Sequence, residues 1–352
     1  MFSLGIVVLF LGLLVFSASG LVASDWSKEV GVHYAPPDFI GEQTGYTSDV
    51  PDETDAVPVR EVPPENPIDP LKDIIRDLRK DISSGQASLE TYGIDDPLKA
   101  EMDEIRAQQG MEETAVSGET GRLKTLPFGA DKWGHDIIKK TIKGSETSIL
   151  VGLIAAFVAT VLGTFLGAFA GYFGGWIDDF LNWFYNVFTS IPYLLLILAV
   201  AAVLQSKGVL TIILILGLTG WTGVFRLVRA EYIKHKEREY VLAANTIGAS
   251  NWRRMFVHIF PNVSHISLVQ MSILSVGFIK SEVILSFLGF GVPVGVVSWG
   301  SMLNEAQNEL ILGKWWQLVA VTVSMAILVT ALSLFTDGLR DALDPKLKQG
   351  DS

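Results

Sequence analysis

The chain has 352 residues, of which 49% are apolar, and its mean hydropathy of +0.38 is high for a water-soluble protein. It contains no cysteine, which excludes disulfides and thiol chemistry. The net charge of −11 is concentrated between residues 25 and 146, where acidic residues outnumber basic residues by 26 to 14. Such an acidic block argues against nucleic-acid binding and indicates a solvated segment.

Six apolar segments are long enough to cross a bilayer, which takes roughly 20 mainly apolar residues in a helix. They lie at about 2–23, 147–170, 180–204, 209–229, 263–288 and 315–335. We therefore predict an all-α membrane protein with six transmembrane helices, the first within residues 1–24. A cleaved signal peptide is the alternative for that first segment, with small residues near Ala18 and Ala23 as the cleavage site. Its long apolar run favours a retained span.

Residues 25–121 form the acidic insert between the first and second predicted spans. Its Pro- and Gly-rich part up to residue 65 predicts irregular structure. Apolar residues at helical spacing predict short amphipathic helices at 70–82 and 97–109. His33 and His135 have no partners at metal-ligand spacing, so we predict no metal site.

Residues 122–146 are predicted to form an interfacial elbow that leads into the second span. Ile137, Ile138 and Ile142 fall on one face of a helix, and three lysines fall on another face, namely Lys139, Lys140 and Lys143. This amphipathic pattern is typical of a helix that lies in the membrane interface.

The second span contains four glycines at intervals of four residues, which places them on one helix face. They are Gly163, Gly167, Gly171 and Gly175. Glycine lets another helix backbone approach closely, so this face predicts helix packing.

The orientation follows from the positive-inside rule. The 230–262 loop and the C-terminal tail are rich in Lys and Arg, whereas the basic residues of the connecting loops 205–208 and 289–314 are only Lys207 and Lys314. We therefore predict that both termini and the 230–262 loop are cytoplasmic, and that the acidic insert lies outside. The lysines of the elbow are then on the outer side, a weaker counter-signal because long segments translocate largely regardless of charge.

The 230–262 loop reads as two short helices around a tight corner. A helical pattern runs to Ala244, Gly248 supplies a residue that readily takes positive φ, and Ser250 is a helix-capping residue. Four apolar residues follow at helical spacing, namely Trp252, Met255, Phe256 and Ile259, and Pro261 is expected to end the helix. This shape suits either insertion into a groove of a partner or packing on the chain's own spans, and the residues alone favour neither.

Two charged residues, Lys280 and Glu282, lie within the fifth predicted span. Charge at membrane depth is costly and usually faces protein or a water-filled cavity. The alternatives are a position on a translocation pathway and simple pairing at the outer interface, with the Lys280 side chain reaching towards water.

Several motifs in order resemble the inner-membrane permease subunits of binding-protein-dependent ABC importers, and specifically the C-type subunits of dipeptide and oligopeptide permeases. They are "FGADKWGHDIIKKTIKGSETSILVG", "AGYFGGWIDD", "EREYVLAANTIGAS", "SFLGFGVP", "SWGSML" and "DGLRDALDP". The family's cytoplasmic E-A-A-x-x-x-G segment matches Ala243, Ala244 and Gly248, with Leu242 in place of the glutamate. The resemblance covers about 122–348 and leaves 25–121 unmatched.

The resemblance implies the type I ABC importer permease fold, with a five-helix core over 147–352. It implies a non-catalytic subunit that contacts a separate ATPase through its loop. Residues carried over to that role are Glu239, Ala243, Ala244, Gly248, Ala249, Trp252, Arg253 and Pro261. The chain has no G-x-x-x-x-G-K-[ST] motif, so ATP and Mg²⁺ are expected on the ATPase, and no cofactor on this chain.

The implied partners are a second permease subunit, one or two ATPase subunits and an extracytoplasmic binding protein, in a prokaryotic cytoplasmic membrane. The cargo is expected to be a peptide, with nickel or an oligosaccharide as alternatives. A membrane-embedded enzyme, a channel and an exporter are more distant alternatives. An enzyme would need clustered His, Asp, Glu or Ser within the spans, and the sequence places its other histidines at or near the 230–262 loop.

Overall fold

The computed structural model describes residues 2–41, 122–293 and 295–343, which belong to one compact unit. Regular secondary structure within these residues is helical, accompanied by isolated β-bridges. The helices are α1 (Phe2–Ala18), α2 (Ile137–Phe173), α3 (Gly175–Thr189), α4 (Tyr193–Leu204), α5 (Val209–Thr219), α6 (Thr222–His235), α7 (Glu239–Thr246), α8 (Asn251–Phe287), α9 (Trp299–Ile311) and α10 (Trp316–Leu343). Most of the insert, including the helices predicted at 70–82 and 97–109, lies outside the described residues.

Four helical stretches among the described residues are long and apolar enough to cross a membrane. They are Ile137–Phe173, Val209–His235, Asn251–Phe287 and Trp316–Leu343. The apolar helix α1 has 17 residues, fewer than the roughly 20 that a span needs, because the helix ends at Ala18 rather than at residue 23. The first of the six predicted spans therefore stays a prediction.

The prediction that 180–204 forms a single spanning helix is wrong. It consists of α3 and α4, which are bent by 88° at a short break. Pro192 explains the break, because the proline ring disfavours helical geometry at the preceding residue, Ile191. The Pro192 backbone is itself extended, with φ −53° and ψ 129°. The pair counts as a fifth membrane-crossing segment if it is treated as one broken span.

Helix α2 packs closely on α6 along its glycine face. A Cβ atom would lie 2.6 Å from the Trp221 carbonyl oxygen at Gly163, 2.8 Å from that of Phe225 at Gly167, and 2.5 Å from that of Arg229 at Gly171. These distances leave no room for a side chain, so glycine is what allows the two backbones to approach.

The expectation that Gly175 shares this face is wrong. Helix α2 ends at Phe173, and Gly175 has φ 54° and nothing within 4 Å of a Cβ position. Two successive glycines with positive φ, Gly174 and Gly175, change the backbone direction where α2 ends and α3 begins. The packing partner of the remaining three glycines is also within this chain, so the stripe gives no argument for a second subunit.

Helix α9 lies in the region that the sequence analysis treated as the connecting loop 289–314. Ser298 begins it with a capping box, in which Ser301 N–H donates to Ser298 Oγ and Ser298 N–H donates to Ser301 Oγ. Trp299 and Met302 are fully buried in a core cluster that also includes Phe10 of α1 and Val321 of α10. This helix therefore packs into the bundle.

Residues 22–41 and 122–136, here called the platform, are held together by backbone hydrogen bonds. Val32 N–H donates to the Leu123 carbonyl and Asp38 N–H donates to the Leu126 carbonyl, both at 2.9 Å. The Trp316 indole N–H donates to the Ala130 carbonyl at 2.8 Å and attaches the platform to α10. The predicted elbow 122–146 is thus divided, because its second part is the beginning of α2, capped by Asp136.

Candidate functional site

The 230–262 loop forms the predicted corner between α7 and α8. Gly248 has φ 82° and donates to the Asn245 carbonyl, and Ala249 N–H donates to the Ala244 carbonyl. These two bonds are those of a Schellman motif, in which the left-handed residue closes a helix and satisfies its last carbonyls. Ser250 then accepts a hydrogen bond from Arg253 N–H at the start of α8. Gly248 and Ser250 therefore set the direction of the chain at the corner.

A polar network of side chains braces the corner. Arg254 donates through Nη1 to Asn245 Oδ1 at 2.7 Å and through Nη2 to Asn251 Oδ1. Tyr172, near the end of α2, donates to Asn251 Oδ1 at 3.1 Å, and the Arg254 guanidinium lies 5.8 Å from the Tyr172 ring centroid. The network fixes α7 to α8 and both of them to α2.

The expectation that Ala243 and Ala244 both face a partner is wrong for Ala244. Ala244 is only 4% exposed, and the neighbouring Val241 is buried in a cluster with Tyr232, Met255 and Ile259. A small residue is needed at 244 because the chain's own helices surround it. Ala243 is exposed.

The outward surface of the corner is apolar instead. Leu242 is 53% exposed, Ile247 is 84% exposed and Trp252 is 58% exposed; together these residues are called the corner surface. The Trp252 ring stacks on Phe256 with a centroid distance of 5.3 Å, which holds it in place. Glu239 and Arg253 are exposed charged residues, Ala249 is half-buried, and Pro261 is exposed. Apolar side chains held at an exposed, braced corner are typical of a surface that contacts another protein.

Pro261 does not end the helix, contrary to the sequence-based expectation. Helical structure continues from Asn251 to Phe287, with a π-helical turn at Arg254–Ile259 just before the proline. Phe260 N–H donates to the carbonyl of Met255, five residues earlier. The wider turn gives the proline ring room that a regular α-helix denies it. The corner and the apolar part of α8 are therefore one continuous element.

Lys280 and Glu282 do not form the pair that the sequence suggested. They are two residues apart on one helix, where side chains do not face each other. Lys280 is exposed, Glu282 is fully buried, and the ion pairs among the described residues include none between them. Ser286 Oγ donates to Glu282 Oε1 at 2.7 Å, Ser148 and Ser298 lie near this carboxyl group, and Glu282 Oε2 has no hydrogen-bond partner of normal geometry.

The surroundings of Glu282 connect three helices. Ser298 is the N-cap of α9, and Trp299 N–H donates to Ser148 Oγ of α2 at 3.2 Å. Glu282 thus lies fully buried where α8 meets α2 and the start of α9, a different arrangement from a side chain that lines an open passage.

A bidentate ion pair joins α6 to α3. Arg229 donates through Nε to Asp178 Oδ1 at 2.5 Å and through Nη2 to Asp178 Oδ2 at 2.6 Å. Both side chains are partly buried, at 28% and 17% exposure. Because α6 leads into the 230–262 loop and α3 into the bent segment, this pair connects the two regions. No local sequence pattern indicates this pair, since its partners are 51 residues apart.

These helices define a membrane protein with several spans and an exposed helical corner. A family model described as "Binding-protein-dependent transport system inner membrane component" matches residues 163–349. The chain belongs to this family of transport-system subunits.

Individual relatives agree with the family match. The chain is 37% identical over 222 residues to the dipeptide transport system permease protein DppC of Bacillus subtilis (strain 168), covering 63% of this chain and 69% of the relative. It is 36% identical over 222 residues to the oligopeptide transport system permease protein OppC of the same organism, covering 63% of this chain and 72% of the relative. A solved structure of inward-facing conformations of the MetNI methionine ABC transporter has 16% identity and a TM-score of 0.46, covering 58% of this chain and 96% of that chain.

Proposed function

We propose that this chain is a permease subunit of an ATP-driven importer for peptides. Relatives named as dipeptide and oligopeptide permease proteins support the peptide cargo. The chain would form half of a translocation pathway with a second permease subunit, and an extracytoplasmic binding protein would deliver the peptide. Nickel or an oligosaccharide is the alternative cargo for the same machinery.

The corner surface is the observation that carries this proposal. It presents Leu242, Ile247 and Trp252 outward on a corner whose internal hydrogen bonds hold it in shape. We propose that it seats on the ATPase, which binds ATP and Mg²⁺, while this chain catalyses no reaction. The small residue at 244 then preserves the shape of the corner, and the contact itself comes from the larger side chains around it.

The continuity of α8 supports a mechanical role for this contact. A displacement at the corner would act directly on α8, because no break separates Asn251 from Phe287. The start of α9 packs against α8 at Gly300, where a Cβ would lie 2.5 Å from the Val283 carbonyl oxygen, and Trp299 N–H bonds α9 to Ser148 of α2. Closure of the ATPase would thus move the far ends of these helices and switch the pathway between its two sides.

Co-purification of this chain with its ATPase subunits tests the contact. Ile247→Glu should lower ATPase co-purification by at least about fivefold, since burying even a neutral polar group without a partner costs on the order of 1–3 kcal/mol and an unpaired charge costs more. Ile311→Glu is the matched control, because Ile311 is also 84% exposed but lies at the end of α9. Equal co-purification of Ile247→Glu and wild type would show that the corner surface is not the ATPase contact.

The cargo is tested separately. The complete complex with its binding protein should be purified and its bound ligand identified by mass spectrometry. Peptides are the expected ligand. Nickel or an oligosaccharide in their place would replace the peptide proposal without affecting the ATPase contact.

A further inference from the structure

A buried group of charged residues joins the platform to α2 and α9. Lys140 of α2 donates through Nζ to Asp131 Oδ2 and to Glu305 Oε2, both at 2.6 Å. Asp131 is fully buried and also accepts from His135 through its backbone N–H and Nδ1, each at 2.9 Å. Lys140 is only 3% exposed, and its ammonium group is already hydrogen-bonded to two carboxylates.

Glu309 adds a third carboxyl group without a matching donor. It lies one helical turn after Glu305 on α9 and is only 1% exposed. Neither of its carboxyl oxygens has a hydrogen-bond partner of normal geometry, although the backbone N–H of Lys132 lies close enough to favour its charged form. No ion pair among the described residues includes it.

A second orphaned acceptor lies on the facing helix. Gln317 of α10 is fully buried and donates through Nε2 to the Met302 carbonyl at 2.9 Å, while its Oε1 atom has no partner. The amide nitrogen also reaches Glu305 Oε2 at 3.3 Å. The unpartnered oxygens of Glu309 and Gln317 are acceptors, so each of them lacks a donor.

The charged side chains that face Glu309 from each neighbouring element do not supply the hydrogen-bond donor that its carboxyl group lacks. The platform contributes Asp131, His135, Lys132 and Tyr34, and α2 contributes Lys140. The Lys132 ammonium lies 5.1 Å from the Trp133 ring centroid, and that of Lys314, after α9, lies 5.4 Å from the Trp316 ring centroid. The buried carboxyl groups of Asp131 and Glu309 and the partly buried carboxylate of Glu305 surround Lys140, and an excess of negative charge there is costly away from water.

We propose that Glu309 is a proton-binding site, and that its occupancy controls how firmly α9 and α10 are attached to the platform. A proton that adds to one carboxyl oxygen forms an O–H group, which removes the excess charge and supplies the missing donor. Release of the proton returns a carboxylate to a buried site beside Asp131 and Glu305, which weakens the attachment.

The expected pH dependence has a definite sign. Burial raises the pKa of Glu309 from 4.5 to about 7; Lys140 opposes the shift, and Asp131 and Glu305 add to it. The folded state therefore holds this proton more tightly than the unfolded chain does. Its contribution to stability is fully present below about pH 4.5 and is lost as the pH rises through about 7.

The contribution of Asp131 to stability changes with pH in the opposite direction. Burial alone would raise the pKa of Asp131, but the Lys140 charge and hydrogen bond outweigh it and hold the pKa below its ordinary value of 3.8. Its contribution to stability is present above that value and is lost in stronger acid. Loss of stability around neutral pH can therefore be assigned to Glu309 and not to Asp131.

Infrared difference spectroscopy of the full chain in lipid nanodiscs tests directly whether the Glu309 carboxyl group binds a proton. Spectra recorded at mildly acidic and mildly alkaline pH should show a carboxylic acid C=O band that disappears in Glu309→Gln. Glu146→Gln is the control, because Glu146 already accepts from Ser17 Oγ at 2.6 Å and from Lys143 Nζ at 2.8 Å. A difference spectrum unchanged by Glu309→Gln would overturn the proposal.

Thermal unfolding of the same samples tests the consequence for the fold. The wild-type unfolding temperature should fall by a few degrees from about pH 6 to about pH 8, whereas Glu309→Gln should show little of this fall because glutamine is neutral throughout. The slope against pH is the readout, so a uniform loss of stability in the variant does not obscure the result. Parallel pH profiles for the two proteins would contradict the assigned role of Glu309.

Discussion

Gly248 is the residue that gives the 230–262 loop its shape. Its φ of 82° lies where residues with a Cβ atom are strained, and no heavy atom lies within 4 Å of the Cβ position. Any cost of substitution at this position therefore comes from the backbone and not from a steric clash. The sequence alone predicted this turn, because both the turn and its Ser250 cap depend on residues adjacent in the chain.

The effect of a substitution at Gly248 should depend on how readily the new residue adopts positive φ. Gly248→Asn should be mild, and Gly248→Val should cost roughly 1–2 kcal/mol and distort the corner, because left-handed geometry penalises β-branched residues most. The measurement is thermal unfolding of the purified chain together with ATPase co-purification. Gly223→Ala is the control, since Gly223 lies in α6 with nothing within 4 Å of a Cβ and should tolerate alanine. A Gly248→Val protein with both properties intact would show that the left-handed turn is dispensable.

The glycines of α2 are needed because they leave room for α6, and not because they adopt positive φ. Gly167→Val should destabilise the chain by about 1–3 kcal/mol, because its Cβ would lie 2.8 Å from the Phe225 carbonyl oxygen. Gly277→Val in α8 is a suitable comparison, since nothing lies within 4 Å of that Cβ position. Chemical or thermal unfolding in detergent gives the difference. Equal effects of the two substitutions would mean that α2 and α6 separate at little cost.

The elements differ in how far the sequence predicts them. The long apolar helices are evident from composition. The bend between α3 and α4 is not, and Pro192 is the residue that indicates it. Helix α9 was missed although Ser298, Trp299 and Met302 give a cap and an apolar face, because its surroundings read as a connection. The link between Lys140 and Glu305 spans 165 residues, and no local pattern indicates such a contact.

The pair formed by Asp178 and Arg229 should behave as one unit between α3 and α6. Asp178→Arg and Arg229→Asp should each destabilise the chain by about 1.5–3 kcal/mol, since hydrogen bonds between charged groups are lost and like charges meet. The double exchange should recover at least half of that loss in thermal unfolding. Lys234 and Glu231, a more exposed pair on α6, provide the comparison, and their exchange should have little effect. An exchange at 178 and 229 without recovery would indicate that the two side chains act independently.

At the scale of the whole molecule, two regions of different character occur at separate places along the chain. The 230–262 loop is basic and presents the corner surface, whereas the platform and α9 enclose the acidic group around Lys140. The positive-inside rule predicts that the loop faces the cytoplasm. With four helical stretches long enough to cross and one bent pair among the described residues, the direction of each segment depends on whether α3 and α4 together cross the membrane.

Single-cysteine labelling decides the orientation, and the natural chain is suited to it because it has no cysteine. Ile247→Cys should react with a membrane-impermeant maleimide only after the cytoplasmic side is opened, and Trp133→Cys, at a platform side chain 51% exposed, should react in intact spheroplasts. Ile259→Cys is the buried control at 0% exposure and should react in neither. The two exposed sites are separated by α2, the pair α3 and α4, and the stretch Val209–His235, which make three crossings if the bent pair spans the membrane. Labelling of both sites from the same side would show instead that α3 and α4 re-enter the membrane on one side, leaving an even number of crossings between them.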